Sequence, residues 1–285
     1  MTARMTVPMT VPMTGPIETT AQRPRPLHQM PLAARAAVIG VMTDIDDTLT
    51  REGAIEPAAL IALRDLAADG LPVIAITGRP LGWSQPFARA WPVAAIVAEN
   101  GAVALIRDGE RILTEYAQDE ATRAANALRL RAVAARVLRE VPGSTLAQDS
   151  AGRVTDIAID HSEFAHLAPE TIQAVVEVME QEGMVATVSS IHINGWFGSH
   201  SKWSAAQWML RRLYGRDLAA EIGRWVYVGD STNDQTLFER FPLAAGVANL
   251  RHFAHQMQIW PAYITQAERG AGFAEVAQAL RAARG

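Results

Sequence analysis

Four times in this chain a short apolar run without polar alternation stops abruptly at a polar cluster. Ala37-Val38-Ile39-Gly40-Val41-Met42 stops at Thr43-Asp44-Ile45-Asp46-Asp47-Thr48, and Leu71-Pro72-Val73-Ile74-Ala75-Ile76 stops at Thr77-Gly78-Arg79-Pro80. Ala94-Ala95-Ile96-Val97-Ala98 stops at Glu99-Asn100-Gly101-Ala102, and Trp225-Val226-Tyr227-Val228 at Gly229-Asp230-Ser231-Thr232-Asn233-Asp234. Runs of this kind suit strands covered on both faces, as in a parallel sheet. A helical pattern separates the first two: Glu56-Pro57 opens it, Leu60, Leu63 and Leu66 share a face, and Gly70 closes it. Strand–helix alternation of this kind predicts right-handed crossovers and an α/β fold with a Rossmann-like parallel-sheet core.

The texture changes after Gly101. Val103 to Leu113 centres on Asp108-Gly109, a hairpin signal. Glu120 to Glu140 has one long helical pattern, Val154 to Asp160 alternates weakly, Pro169 to Glu182 is helical, and Val185 to Ile193 reads as another strand. From Ser201 the first texture returns, with a helix over Lys202–Tyr214, the strand at Trp225, strands near Ala244 and Ala262, and a closing helix over Gly272–Ala283. The expected organisation is a disordered tail over 1–35, a core over 36–109 and 197–285, and an inserted α+β cap over 110–196.

Bulk composition narrows the function classes. The chain has 285 residues, 49% hydrophobic and 20% charged, with a formal net charge of −4. The absence of a basic excess argues against a nucleic-acid partner. No run approaches the ~18 apolar residues of a membrane span, and the proline-bearing start, with its VPMT echo, lacks the apolar stretch of a secretory signal. With no cysteine, disulfides, thiolate catalysis and Cys-based zinc sites are excluded, and a reducing cytoplasm fits. Oligomeric state has no signature in the sequence.

In an open parallel sheet ligands sit beyond the carboxyl ends of the strands, which is where these polar clusters fall. Asp44 and Asp46, one residue apart at a strand exit, can aim both carboxylates at one pocket. Their repulsion is offset if a divalent cation sits between them. With oxygen ligands only, the ion is hard, and Mg2+ fits best, because it pairs one or two carboxylates with phosphate and water. Asp230 and Asp234 supply further acidic oxygens. An aspartate can act as nucleophile toward phosphorus, and a second carboxyl can protonate the leaving alcohol and then activate water. Thr77, with nearby backbone N–H groups, and Lys202 are candidate hydrogen-bond donors to a bound phosphate.

These residues resemble the motifs of the haloacid dehalogenase-like phosphatase superfamily. Asp44-Ile45-Asp46-Asp47-Thr48 looks like its D-x-D-x-T motif, Thr77-Gly78-Arg79 like the second, Lys202 at a helix head like the third, and Gly229-Asp230-Ser231-Thr232-Asn233-Asp234 like the G-D-x-x-N-D fourth. The resemblance covers about 36–285. An insertion between the second and third motifs, with the Glu99-Asn100-Gly101-Ala102 turn, is similar to subclass IIB. That subclass contains sucrose-phosphate phosphatase, mannosylphosphoglycerate phosphatase, phosphomannomutase and the Cof-type enzymes. Trp203 stands where it usually has glycine.

The resemblance implies Asp44 as nucleophile and Asp46 as general acid/base. It implies magnesium on Asp44, the Asp46 backbone carbonyl and Asp230, supported by Asp234 and Asn233, and phosphate on Thr77, Gly78 and Lys202. The implied activity is hydrolysis of a small phosphorylated metabolite, a sugar phosphate, through an aspartyl-phosphate. A phosphomannomutase-like transfer and a non-catalytic phospho-receiver are the alternatives. Receivers place their acidic pair first and their phosphorylated Asp later, and are much shorter.

Arg79, Asn100, Arg153, Asp156, His192 and Asn194 are candidate substrate-reading groups. Asp156 and Asp160 share a strand face but read as polar strand residues rather than a second metal site. His252 and His255 lack a third ligand. Trp196 and Trp203, flanking the expected cap junction, are the best candidates for stacking on a sugar. The arginines of 123–139 read as a solvated helix face.

Overall fold

The computed structural model describes residues 23–284. The expected disorder over 1–22 lies outside the described residues. Residues 23–35, assigned to the tail from sequence, belong to the fold instead. Arg25–Pro26 pairs in parallel with Tyr263–Ile264 at the sheet edge, and Leu27 and Met30 are buried in the core. The proline-bearing composition concealed this, because a two-residue edge strand carries no periodicity.

The main sheet has nine strands. In spatial order they are Arg25–Pro26, Tyr263–Ile264, Ala245–Gly246, Trp225–Gly229, Gly40–Thr43, Val73–Ile76, Ala95–Ala98, Val103–Asp108 and Arg111–Tyr116. The first seven run parallel, and Val103–Asp108 and Arg111–Tyr116 each pair antiparallel with the strand before them. From the central strand Gly40–Thr43 the chain first winds to one side, through Val73 and Ala95. After the insertion it returns and winds to the other, through Trp225, Ala245 and Tyr263. The switch in winding direction therefore lies between Gly40–Thr43 and Trp225–Gly229, whose exits carry Asp44 and Asp230. A crevice for ligands opens at such a point, because the two connecting chains leave in opposite directions.

Helices cover both faces, which is why the strands show no alternation. Pro57–Ala68 and Arg269–Arg281 pack on one face through Leu63, Leu66, Phe273 and Leu280. Lys202–Tyr214 and Gln235–Arg240 pack on the other through Met209, Leu210, Leu237 and Phe238. Proline at the start of Pro57–Ala68 suits a first-turn position with no intrahelical N–H bond to lose. Ser201 and Ser204 form a reciprocal cap at the start of Lys202–Tyr214, and Gly215 ends it in the left-handed conformation at φ 64°.

The inserted unit has its own antiparallel sheet, ordered Val185–Val188, His192–Trp196, Asp156–Asp160, Thr145–Leu146. Helices Glu120–Glu140 and Pro169–Gln181 bury Val133, Val137, Val175 and Met179 against it. Two sequence expectations change here. Arg111–Tyr116, placed in the insertion by the boundary at 110, is the last strand of the core sheet, paired throughout with Val103–Asp108. The single strand expected over Val185–Ile193 is two, broken at 189–191, where the Ser189 hydroxyl accepts the backbone N–H groups of Ile191 and His192. No helix among the described residues is long and apolar enough to cross a membrane.

Candidate active site

Asp44 stands one residue beyond its strand, with its N–H donated to the carbonyl of Val228 on the neighbouring strand. Asp230 follows Gly229 at the exit of that neighbour. The two carboxylates converge because parallel pairing puts Thr43 beside Val228. Asp234 returns to the same point on the turn Thr232–Asp234, and ligand atoms of Asp44, Asp230 and Asp234 all lie within 4.8 Å of one another. Gly229 has no side chain because a Cβ there would collide with the Asp234 carboxylate.

Lys202, at the head of its helix, donates from Nζ to Asp44 Oδ1 at 2.6 Å and to Asp234 Oδ1 at 2.7 Å. All four of these charged residues are at most 4% exposed. Asp234 has its oxygens occupied: Tyr227 Oη donates to Oδ1 at 2.6 Å, and the N–H groups of Asp230 and Ser231 donate to Oδ2 at 3.0 and 3.3 Å. Asp230 differs. Both of its carboxylate oxygens are buried and have no hydrogen-bond partner among the described residues.

This is an electrostatic imbalance. Burial, then the neighbouring Asp44 and Asp234 charges, push the Asp230 carboxyl well above its ordinary pKa. Burial likewise raises Asp44, against the pull of Lys202. Burial works against the Lys202 ammonium, but Asp234 and Asp44 outweigh it and hold it firmly charged. Three carboxylates around one ammonium leave a deficit of positive charge in a buried cluster. A hard divalent cation on Asp44 and Asp230 fits this donor set: all oxygen, with two acceptor atoms left orphaned.

Thr77 is fully buried at the exit of Val73–Ile76, and its Oγ1 accepts the Arg79 N–H at 3.0 Å. Gly78 O accepts from Arg153 Nη1 at 2.9 Å and, at 3.4 Å, from Asn194 Nδ2. A Cβ on Gly78 would stand 3.1 Å from Asn194 and 3.3 Å from Asn100. Asn100 is buried in the left-handed region at φ 56°. The following Gly101, at φ 111°, is forced by the close approach of the Ser201 carbonyl, which locks this turn to the head of the lysine helix.

The cap candidates meet the core at the same edge. Arg153 bonds both Asp156 oxygens at 2.9 Å and Asp149 Oδ1 at 3.1 Å, with His192 Nδ1 at 3.5 Å. Burial lifts the Asp156 carboxyl to about 7 despite Arg153. Asn194 Nδ2 also donates to Asp156, at 3.2 Å. Asp160, on the same strand, accepts the backbone N–H groups of Ser162, Glu163, Phe164 and Ala165, so it shapes a loop rather than a metal site.

Asp46 accepts from Arg79 Nε at 2.9 Å. Asp46 and Arg79 form the inner wall of a cavity of about 490 Å3, closed on the cap side by Ser162, Glu163, Phe164 and Ile191. A larger cavity, about 710 Å3, lies at the opposite end of the strands around Pro72, Trp91 and Arg107, and none of the motif residues line it.

Several sequence expectations are not met by the geometry. Trp196 is buried, stacked on His200 with ring centroids 5.6 Å apart, and its Nε1 donates to the His200 carbonyl. Trp203 packs edge-on against Phe241 at 6.2 Å, under Arg240, and lines neither cavity. Neither indole offers a face to a sugar, because the helix that presents Lys202 inward turns Trp203 toward another part of the core. Asn233 Oδ1 accepts from the Ser231 hydroxyl at 3.0 Å, which makes it a support for the turn.

Sequence reasoning missed Tyr227, Asp149 and Glu163, and named Glu99 only as part of its turn motif. Tyr227 stood in the apolar run, and one polar atom there was the available signal. Glu99 is fully buried and accepts the N–H groups of Leu81, Val154 and Thr155 and the Thr155 hydroxyl, tying core to cap. Asp149 and Glu163 sit in cap loops that carry no motif.

Comparison with known proteins follows the same line. Residues 41–137 match the family model described as haloacid dehalogenase-like hydrolase. No curated protein matches in sequence. Thermoplasma acidophilum 0175 superposes with a TM-score of 0.65 at 16% identity, over 86% of this chain and 98% of that one. The sucrose-phosphatase of Synechocystis, solved with sucrose and phosphate, gives 0.61 at 16% over 85% and 98%. The C-terminal domain of Candida albicans (C. albicans) trehalose-6-phosphate phosphatase gives 0.64 at 12% over 92% and 98%. The haloacid dehalogenase-like match thus spans the first two motifs, the solved neighbours share the fold, and the four motifs meet in chain order at one crevice.

Proposed function

We propose that the protein is a magnesium-dependent phosphomonoester hydrolase, acting on a small phosphorylated metabolite, a sugar phosphate, through an aspartyl-phosphate. The observation that carries this is the buried cluster in which Asp44, Asp230 and Asp234 share one point and Lys202 bridges two of them. Asp44 and Asp230, with the Asp46 backbone carbonyl, would hold the magnesium. When bound, the ion supplies the missing positive charge and draws electron density from the phosphoryl oxygens.

The chain's own residues account for the rest. Lys202 holds one Asp44 oxygen, which leaves the other for attack on phosphorus. The Thr77 hydroxyl accepts from Arg79, so its own proton is left for a phosphate oxygen. As the Asp44–phosphorus bond forms, the phosphorus–ester oxygen bond breaks and Asp46 gives its proton to the departing alkoxide. Asp46 then takes a proton from the water that attacks the aspartyl-phosphate, releasing phosphate and restoring both carboxyls. The cavity beside Asp46 would hold the leaving group, and its mixture of carboxylates and arginines, with exposed Phe164, suits a hydroxyl-rich body. The sucrose and phosphate bound in the Synechocystis neighbour support the sugar reading. A cytoplasmic setting fits the cysteine-free composition.

The test is phosphate release from a panel of phosphorylated sugars in magnesium buffer. Wild type should release phosphate and lose the activity on EDTA treatment, and Asp44→Asn should be inactive. Undiminished turnover by Asp44→Asn would refute the nucleophile, and conversion to an isomeric sugar phosphate would refute hydrolysis.

A further inference from the structure

Arg79 is held from two sides. On the core side its Nε donates to Asp46 Oδ1 at 2.9 Å. On the cap side its Nη2 donates to Glu163 Oε1 at 2.7 Å, and its Nη1 to Glu163 Oε2 at 3.3 Å and Asp149 Oδ2 at 3.2 Å. The guanidinium is a rigid planar fork, so fixing its two terminal nitrogens fixes the direction of Nε. Glu163 makes the bidentate contact and is itself fixed. His192 Nε2 lies 2.9 Å from its Oε2, and Asp160 anchors the backbone of its loop through four N–H groups. Burial works against the Glu163 charge, but the bonds from His192 and Arg79 outweigh it and hold the carboxyl at about 2, so it stays ionised.

We infer that Glu163 is a positioning residue: by clamping Arg79 it sets the orientation of the Asp46 carboxyl, so that the general acid/base is aligned only when the cap is closed on the core. Without the cap, Arg79 keeps a single carboxylate partner, and a lone contact at the end of a long side chain holds its geometry poorly. Closure and proton transfer are thereby linked through one side chain. A cap acid is needed because the core alone offers Arg79 no second carboxylate among the described residues.

This rests on the hydrolase reading, and the test separates the two. Glu163→Gln keeps the shape and removes the charge. Two esters are compared: glycerol phosphate, whose alkoxide must be protonated to leave, and p-nitrophenyl phosphate, whose phenolate leaves without a proton. The expected result is a kcat on glycerol phosphate lowered about 10-fold, part of what a general acid contributes, with KM within about 2-fold. The single-turnover burst of p-nitrophenolate should be nearly unchanged. In an Asp46→Asn background the same substitution should have no further effect.

Equal loss on both esters, a rise in KM alone, or an additive loss in the Asp46→Asn background would overturn the inference. Wild-type turnover of both esters sustains the hydrolase reading whichever way E163Q falls. If E163Q melts lower than wild type, Asp149→Asn removes the other cap carboxylate from Arg79 and carries the same comparison, with a smaller expected loss.

Discussion

Glu99→Gln is the substitution whose cost the structure specifies most closely. The side chain is fully buried and joins two units of the fold. Oε1 accepts Leu81 N–H at 3.0 Å, Oε2 accepts Thr155 N–H at 2.6 Å and the Thr155 hydroxyl, and Val154 N–H is shared at 3.1 Å to each. A glutamine fits the same space, but its amide NH2 must face N–H donors at one of the two positions. The better orientation keeps the oxygen near Thr155 and turns the NH2 toward Leu81, stranding one backbone N–H at a cost of about 1–3 kcal/mol. The remaining bonds lose their charge assistance, which adds to the loss, while the neutral amide is easier to bury, which offsets part of it. The expected net destabilisation is about 3 kcal/mol. At roughly 2–4 °C per kcal/mol for a domain of this size, that lowers Tm by roughly 6–12 °C. Thermal unfolding of both proteins at pH 7, followed by calorimetry, measures it. A shift below about 2 °C would show that these donors find solvent or other acceptors, and the tether argument would fall.

Two further outcomes follow from buried groups. Lys202→Met fills the same volume but leaves Asp44 and Asp234 without their shared cation; phosphate release should fall by at least about 100-fold, and retention of a tenth of the activity would contradict the bridging role. His200 is 7% exposed, with both ring nitrogens buried and without a hydrogen-bond partner among the described residues, and burial holds its pKa down at about 4, below its ordinary 6.5. The neutral ring is the native form, so its contribution is fully present above pH 6.5 and is lost as pH falls toward 4, by about 3 kcal/mol at most. Carboxylates such as Glu163 add their own loss at lower pH, so the measurement is the difference in urea-unfolding free energy between wild type and His200→Phe from pH 7 to 4. A difference that stays constant across that range would refute the assignment.

Legibility from sequence followed backbone constraint. Asp44, Thr77, Asn100 and Asp230 could be read because each lies immediately past an apolar run, and a buried parallel strand fixes where its exit points. Lys202 could be read because a helix head fixes its position as well. The long cap helix, Glu120–Glu140, matched its pattern to the residue, helped by the Asp119 cap that accepts Thr122 N–H at 2.8 Å. What escaped lacked such anchors. The Arg25–Pro26 strand is two residues long, too short for any period. Asp149 and Glu163 reach the site through loop conformations set by Ser150 and Asp160 side chains bonding local backbone, and no spacing rule describes those. Arg153, Asp156, His192 and Asn194 do gather at the cap–core edge, yet their mutual bonds make them a scaffold around Gly78 and Asp149 as much as a reading surface.

The two halves of the site are therefore held by different means. Asp44, Asp230 and Asp234 are fixed mainly by core main chain: paired strands, a tight turn and backbone N–H donors, with one cap contact where Thr232 Oγ1 donates to the Val188 carbonyl at 2.9 Å. Asp46 bonds Arg79, which in turn bonds Glu163 of the cap, so its orientation is set by side chains that reach across the interface. A rigid acid cluster suits phosphoryl transfer, where charge must be met without reorganisation at the moment of reaction. A proton donor whose alignment depends on closure suits a site that would otherwise deliver its phosphoryl group to any water in the open crevice. The same division predicts where change is tolerated. Substitutions in the cap network alter how well proton transfer by Asp46 is gated, whereas a change at Asp44 or Asp230 removes the charge pattern presented at the switch between the two central strands.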